Sequence, residues 1–299
     1  MKHIAILMTV HNRIDKTLDC LESVSLSIKE TKEILNIVVY LTDDCSTDGT
    51  TNTIQTKKYP FPIHLIQGDG TLCWNGGMIR SWRAALEDED RYDGYLWLNN
   101  DTIILPHFWK ELMDADKYCH EKYGRDGIYV GSTKGIDDNK GQHITYGGFN
   151  FTNLITLKDK FVIPNGNFQT CQCAHGNLTY VSEGVVREQG VFSDKYIHGG
   201  GDHDYTYRAH KRGIPLIVMP SFSGICENDH AEDGYSDFLN MPLRERLMYL
   251  YSPLGFNLHN TLLFQRRCFP YRYPFVWIMG HLKAFFPKTY WRIYQWLRR

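Results

Sequence analysis

The sequence predicts an α/β fold: a doubly wound, mostly parallel sheet with a small antiparallel element and a C-terminal helical appendage. Three observations predict it. Buried-strand and amphipathic-helix patterns alternate from Ile4 to Tyr118, the rhythm a parallel sheet requires. Short segments punctuated by Gly and Asn replace that rhythm between Ile128 and Tyr180. Beyond Glu245 the chain has no acidic residue, and aromatic and basic residues crowd together.

Each element follows from its local pattern. Ile4 to Thr9 is apolar enough for a strand buried on both faces. Asp15 to Ile28 places Leu18, Leu21 and Val24 on one side of a helix. Ile37 to Thr42 repeats the strand pattern, followed by a helix from about Thr47 to Thr56. Ile63 to Ile66 is a third strand, Met78 to Leu86 a helix, Tyr95 to Leu98 a fourth strand and Pro106 to Tyr118 a helix. The 128–180 stretch reads as antiparallel strands over the sheet's edge. Val185 to Gly190 and Asp202 to Arg212 read as helices, and Ile214 to Met219 as a returning strand. No internal repeat or low-complexity linker interrupts the chain, so residues 1–240 form one domain and 241–299 an appendage.

A chain of 299 residues can bury a sizeable core. Its net charge of -1 hides a split, because nine of its 33 Lys and Arg follow Glu245. The first 245 residues therefore carry -10 and the last 54 carry +9. Net positive charge confined to one end argues against a nucleic-acid binder and for an anionic surface near that end. The eight cysteines contain no C-x-x-C pair, which fits a reduced protein without a structural zinc. The first apolar run is too short for a signal peptide, and no run reaches the roughly 18 to 20 residues that cross a bilayer. The expectation is a cytoplasmic protein, peripheral at the inner face of the cell membrane.

The chemistry gathers where strands end. The fourth strand closes in Asn99-Asn100-Asp101, one carboxylate and two amides at a carboxyl edge where open α/β sheets bind ligands. That set suits a hard divalent cation, Mg2+ or Mn2+, that keeps water and shares phosphate oxygens. An Asn/Asp turn closing a strand explains the same residues equally well. The first strand ends in Thr9-Val10-His11-Asn12-Arg13, and the second in Asp43-Asp44-Cys45-Ser46-Thr47-Asp48-Gly49-Thr50. The latter opens a helix whose free N–H groups favour anions, although a simple N-cap accounts for its Ser and Thr. Gly68-Asp69-Gly70-Thr71-Leu72-Cys73-Trp74-Asn75-Gly76-Gly77-Met78 precedes another helix, and Gly200-Gly201-Asp202-His203-Asp204 starts a third. Asp204 and Arg208 are spaced for an i,i+4 ion pair.

Together these segments resemble the family 2 inverting glycosyltransferases of the GT-A fold. That family carries Thr-x-x-Asn-Arg after one strand and Asp-Asp-x-Ser-x-Asp-Gly-Thr after the next, as Thr9–Arg13 and Asp43–Thr50 do here. The resemblance, which covers residues 1 to about 220, implies that Asp44 binds the nucleotide base. It places Thr9, Asn12 and Arg13 around the nucleotide. The Gly/Trp loop is similar to that of a rhamnosyltransferase-like branch, which implies donor contacts for Trp74, Gly76 and Gly77. Asn99-Asn100-Asp101 falls at the Asp-x-Asp metal motif, with Asn99 replacing the first acid. That leaves Asp101 as principal metal ligand and Asn100 beside the donor. Asp202 matches the catalytic base, Gly201 replaces the acid usually before it, and Asp204 and Arg208 orient the base or contact phosphate. His230, in a later polar loop, is a candidate metal ligand, with a solvated loop histidine as the simpler reading.

These implications describe an inverting enzyme that moves a sugar from a UDP- or dTDP-sugar to a glycan or lipid-linked acceptor in bacterial surface polysaccharide synthesis. The alternative is a catalytically silent nucleotide-sugar or glycan-binding protein of the same fold, which Asn99 and Gly201 keep open. A nucleotidyltransferase would need a Gly- and Arg-rich loop after the first strand, and a Rossmann dehydrogenase would need Gly-x-Gly-x-x-Gly there; neither is present. From Pro274 onward, eight aromatics accompany Lys283, Lys288, Arg292, Arg298 and Arg299. That composition describes a helical tail lying on an anionic membrane surface, or else a packing element or homodimer contact.

Overall fold

The computed structural model describes residues 2–137, 141–227 and 238–298. Contacts divide the chain into two units, residues 1–194 with 201–228, and residues 195–200 with 229–299.

The first unit is built on β1 (Lys2–Val10), β2 (Leu35–Asp43), β3 (Ile63–Gln67) and β4 (Gly94–Leu98), joined through α1 (Ile14–Glu30), α2 (Thr50–Thr56) and α3 (Cys73–Glu87). These strands pair in parallel, with Ile4 opposite both Ile37 and Gly94. Alternate residues of β1 serve opposite layers. Ile4, Ile6 and Met8 pack with Leu21 and Val24 of α1 and with Trp109 and Leu112 of α4 (Phe108–Tyr123). Ala5 and Leu7 pack with Met78 and Trp82 of α3 on the other face. A strand covered on both sides gains nothing from polar alternation, which is why β1 reads as an unbroken apolar run.

After β5 (Ile103–Ile104) and α4, the order departs from expectation. The 128–180 stretch does not lie over the sheet's edge. It supplies β6 (Ile128–Asp137) and β12 (Leu178–Ser182) to the middle of the sheet, whose order is β10-β13-β6-β12-β4-β1-β2-β3. Here β10 is Gln169–Thr170 and β13 is Leu216–Ile225, while β7 (Gly141–Tyr146) pairs with β6. β12 runs antiparallel between β4 and β6, with Tyr180 opposite both Leu96 and Tyr129. Every residue of β12 is buried, so its sequence resembles a parallel core strand and conceals its direction. Only β8 (Gly148–Asn153), β9 (Lys158–Phe161) and β11 (Cys173–Ala174) form the separate small sheet, which is antiparallel. Two helices complete the unit, α5 (Glu183–Gln189) and α6 (Gly201–Lys211).

The second unit contains α7 (Leu243–Tyr251), α8 (Leu258–Cys268), a 3-10 turn at Pro270–Arg272, α9 (Tyr273–Phe285) and α10 (Pro287–Arg298). Leu250, Leu258, Leu262 and Ala284 form its core, with Phe256 and Val276 packed against them. Of the readings open for the tail, packing holds for one side of α9, which contributes Val276 and Ala284 to that core. Lys283, counted among the tail's basic residues, is drawn inward: its Nζ sits 3.7 Å above the Phe256 ring and 5.0 Å from the Tyr290 ring centre. Burial pushes its ammonium down to about 8.

Candidate active site

Three loops at the carboxyl ends of β1, β2 and β4 are tied together by side chains that the motifs singled out. Asn12 and Arg13 both adopt left-handed backbone angles, φ 58° and 63°, turning the chain sharply from β1 into α1. The Asn12 amide donates to Ser46 Oγ (2.7 Å), its side-chain Oδ1 accepts from the Thr47 amide (2.9 Å), and the Ile14 amide donates to Asp48 (2.9 Å). Asn12 thus joins the β1 and β2 loops. Asp43 is turned inward, accepting from the Ser46 amide at 2.8 Å and from the Thr51 hydroxyl. Asp43 thus closes the turn after β2, while the N-cap of α2 is Gly49, with no side-chain cap bond, so Ser46 and Thr47 are not its caps.

Asp44 does different work. One carboxylate oxygen accepts from the Gly70 amide (2.7 Å) and the other from the Cys73 amide (3.0 Å), closing the Gly68–Cys73 loop onto the end of β2. Gly68 is required for this closure, since a Cβ there would stand 2.6 Å from Asp44 Oδ1. The acceptor capacity left for a base is the second lone pair of each oxygen.

The glycines of the next motif are used for packing. A Cβ on Gly77 would lie 2.0 Å from Thr9 Oγ1, so the close approach it permits is that of α3 to β1. Gly76 is less crowded, with Leu72 Cβ at 3.2 Å. Trp74 lies in the first turn of α3. Its indole Nε1 donates to Asn99 Oδ1 (2.8 Å), and its ring edge lies against Gly176, where a Cβ would stand 2.7 Å from Cη2.

Gly176 also donates its amide to Asp202 Oδ2 (2.9 Å), and Asp202 Oδ1 accepts from the His203 amide (2.8 Å). The nearly buried Asp202 carboxylate therefore stands one residue from the Trp74 ring and, through it, from Asn99. Gly176 was not foreseen; a lone Gly in a short loop before β12 carries no recognisable signal. Asn75 was missed for a similar reason. It is fully buried, its Nδ2 donates to the Ser193 carbonyl (3.0 Å), and a Cβ on Gly201 would come within 1.9 Å of its Oδ1. The absent acid at 201 thus has a steric cause: Asn75 fills the space.

Two histidines flank the carboxylate. His203 Nε2 lies 4.0 Å from Asp202 Oδ2. His175 faces His203 edge-on at 4.9 Å, and its Nδ1 donates to the Gly147 carbonyl (3.0 Å). Burial, reinforced by His203, pushes His175 down to about 4, so it is neutral near pH 7. Asp204 and Arg208 do pair, at 2.8 Å, within the turn of α6, with the Asp204 side chain 1% exposed.

The three polar residues after β4 point three ways. Asn99 holds Trp74, and Asn100 Nδ2 donates to Thr17 Oγ1 of α1 (2.9 Å). Asp101 accepts from Arg13 Nη1 (3.2 Å) on one oxygen and from the Cys226 thiol (3.5 Å) on the other. Burial, then the Asp101 charge, pushes the Cys226 thiol up to about 12, which keeps it a donor. His230 lies outside the described residues. Asp116, His120 and Asp126 also cluster, but Asp116 already receives Lys2 Nζ (2.9 Å) and the Tyr129 hydroxyl (3.0 Å), and Asp126 the Gly184 amide (2.9 Å). Those partners make that cluster a structural ion-pair network.

Comparison with known proteins follows the same outline. No curated protein matches the sequence. Among solved structures, the 1–349 segment of S. aureus TarS is 16% identical with a TM-score of 0.53, covering 95% of this chain and 81% of that one. The same segment in complex with UDP gives a TM-score of 0.55 at 12% identity, covering 95% and 88%. GalNAc-T7 with UDP, GalNAc and Mn2+ gives 0.55 at 12% identity, covering 76% of this chain and 44% of that one. At such identities the likeness is one of fold. The family model of glycosyl transferase family 2 matches residues 5–180, more than half of the sequence. The chain belongs to glycosyl transferase family 2.

Proposed function

We propose that this glycosyltransferase moves a sugar from a UDP- or dTDP-sugar to a hydroxyl of a glycan or lipid-linked acceptor, with inversion at the anomeric carbon. Bacterial surface polysaccharide is the substrate class proposed for it. The observation that carries this reading is the meeting of Asp202, Gly176 and Trp74 beside Asn99 at the carboxyl edge of the sheet. The solved relatives with UDP support the donor class, and the Gly68–Met78 loop keeps a rhamnosyl donor among the candidates.

Asp202 is the proposed base. Two backbone amides fix its carboxylate, leaving each oxygen a further lone pair. As the acceptor oxygen forms its bond to the anomeric carbon, the bond from that carbon to the diphosphate breaks on the opposite face, and the hydroxyl proton passes to Asp202. Trp74 is the residue proposed to border the sugar, and Arg13 brings a positive charge to the Asp101 side.

Asp101 is the residue proposed to hold Mg2+ or Mn2+. With Asn99 Oδ1 accepting from Trp74 and Asn100 turned onto Thr17 through its Nδ2, Asp101 is the one carboxylate the motif offers. That donor set fits a cation completed by water and diphosphate oxygens. When bound, the cation neutralises charge developing on the diphosphate.

The test is a panel of nucleotide-sugars scored by thermal stabilisation with and without Mn2+, followed by determination of the product anomer. Stabilisation by a UDP- or dTDP-sugar that requires the cation, and an inverted product, are expected. A retained anomer would end the inverting assignment. Donor binding without any turnover would favour the silent binding protein.

A further inference from the structure

The second unit presents a face that the transfer chemistry does not use. Of the twenty large apolar side chains exposed among the described residues, twelve lie from Leu243 onward. α9 concentrates them. Its Val276 and Ala284 pack into the unit's core, and Gly280 lies against Leu258. The opposite side carries Phe275, Ile278 and Phe285, 51%, 56% and 46% exposed, with Phe286 beside them, while Trp277 lies at the margin of the core side, its ring 4.3 Å from that of His281. A helix with apolar residues on both sides has two apolar environments, and the core supplies only one.

Charge identifies the second environment. No acidic residue follows Glu245. In α10, Lys288 and Arg292 are exposed and flank Trp291, which is 38% exposed. Exposed aromatics bordered by cations alone suit an interface of acyl chains beneath anionic headgroups. A second copy of the same face would set like charges against each other. No described helix is long and apolar enough to cross a membrane, so the contact is a surface one.

We propose that the outward face of α9, with the exposed cations of α10, docks on an anionic lipid surface. Phe275, Ile278 and Phe285 enter the headgroup–acyl boundary, and Lys288 and Arg292 meet the headgroups. Lys283 takes no part, because its ammonium is buried over the Phe256 ring. The proposal rests on the second unit alone and stands whether or not the donor reading holds.

The test uses the full chain with sedimented vesicles of phosphatidylglycerol or phosphatidylcholine. Binding is expected to phosphatidylglycerol at low salt and to weaken as salt rises. I278S/F285S should lower vesicle partitioning by about tenfold or more with an unchanged melting temperature, since both side chains lie on the side of α9 away from its core contacts. K288E/R292E, which leaves every apolar contact in place, should remove the salt-sensitive part of binding. Failure of the full chain to bind phosphatidylglycerol, or undiminished binding by both variants, would overturn the proposal. A dimer that I278S/F285S dissolves, without vesicle binding by the parent, would assign the face to a second copy instead.

Discussion

Arg13 Nη1 lies 3.2 Å from Asp101 Oδ2, so the proposed metal ligand is already neutralised by a cation from the β1 loop. Asp101 is mostly buried, whereas the Arg13 side chain is half exposed and free to withdraw. A divalent cation at Asp101 competes with that guanidinium for one oxygen. Arg13→Gln should therefore tighten Mn2+ binding to the nucleotide-free protein by a few fold, since an exposed pair of this kind contributes up to about 1 kcal/mol. Asp101→Asn should abolish it. Manganese titration followed by electron paramagnetic resonance reads both; equal affinity in the parent and Arg13→Gln would show that Arg13 is no competitor.

Asp202→Asn keeps the shape of the side chain and removes its capacity to take a proton. Turnover should fall by about 10² to 10⁴, the usual contribution of a positioned base. Donor affinity, measured by calorimetry, should stay within a few fold because Trp74 and the Asp44 loop are untouched. Near-normal turnover would move the role elsewhere. Asp204 is a poor second candidate, since Arg208 and burial already occupy it.

Gly201 and Asn75 provide a packing test that needs no substrate. Gly201→Ala places a methyl about 1.9 Å from Asn75 Oδ1, which the buried amide cannot accommodate without moving. Overpacking of this kind costs about 1 to 3 kcal/mol. Thermal melting should show the loss, and Asn75→Ala should make the second substitution much less damaging than it is alone. Additive losses in the double variant would mean that the two residues do not share the space.

The parallel half of the sheet was legible because β1, β2 and β4 are buried on both faces and end in polar residues. The position of β12 was not, because Leu178–Ser182 has the same apolar run and nothing local encodes antiparallel insertion. Within the site, Asn12, Trp74, Asp101 and Asp202 stood out as side chains with chemistry at strand or helix ends. Their supports did not. Gly176 acts through its amide and its lack of a side chain, and Asn75 through volume, across 26 and 126 residues of chain from Asp202 and Gly201. Gly77 was visible as a glycine, but whether it admits a ligand or the Thr9 side chain is decided only by what stands opposite. Lys283 shows the same limit, since composition counts its charge and only packing reveals its burial.

Lys283 also makes the second unit's stability depend on pH in an unusual direction. Burial lowers its ammonium from 10.5 to about 8, while the Phe256 ring offsets part of that cost. Below pH 8 the lysine is charged in both folded and unfolded chains, and the full burial penalty is present. Between about 8 and 10.5 the unfolded chain holds a proton that the folded one has released, so stability rises with pH across that window. Lys283→Met removes the penalty while keeping the aliphatic volume. It should be more stable than the parent at pH 7, by at most about 3 kcal/mol, and the difference should shrink from pH 8 to 10.5. Denaturant melts of both proteins at matched pH isolate this group from the other titrating residues. A variant less stable than the parent at pH 7 would mean that the contacts with Phe256 and Tyr290 outweigh the cost of burying the charge.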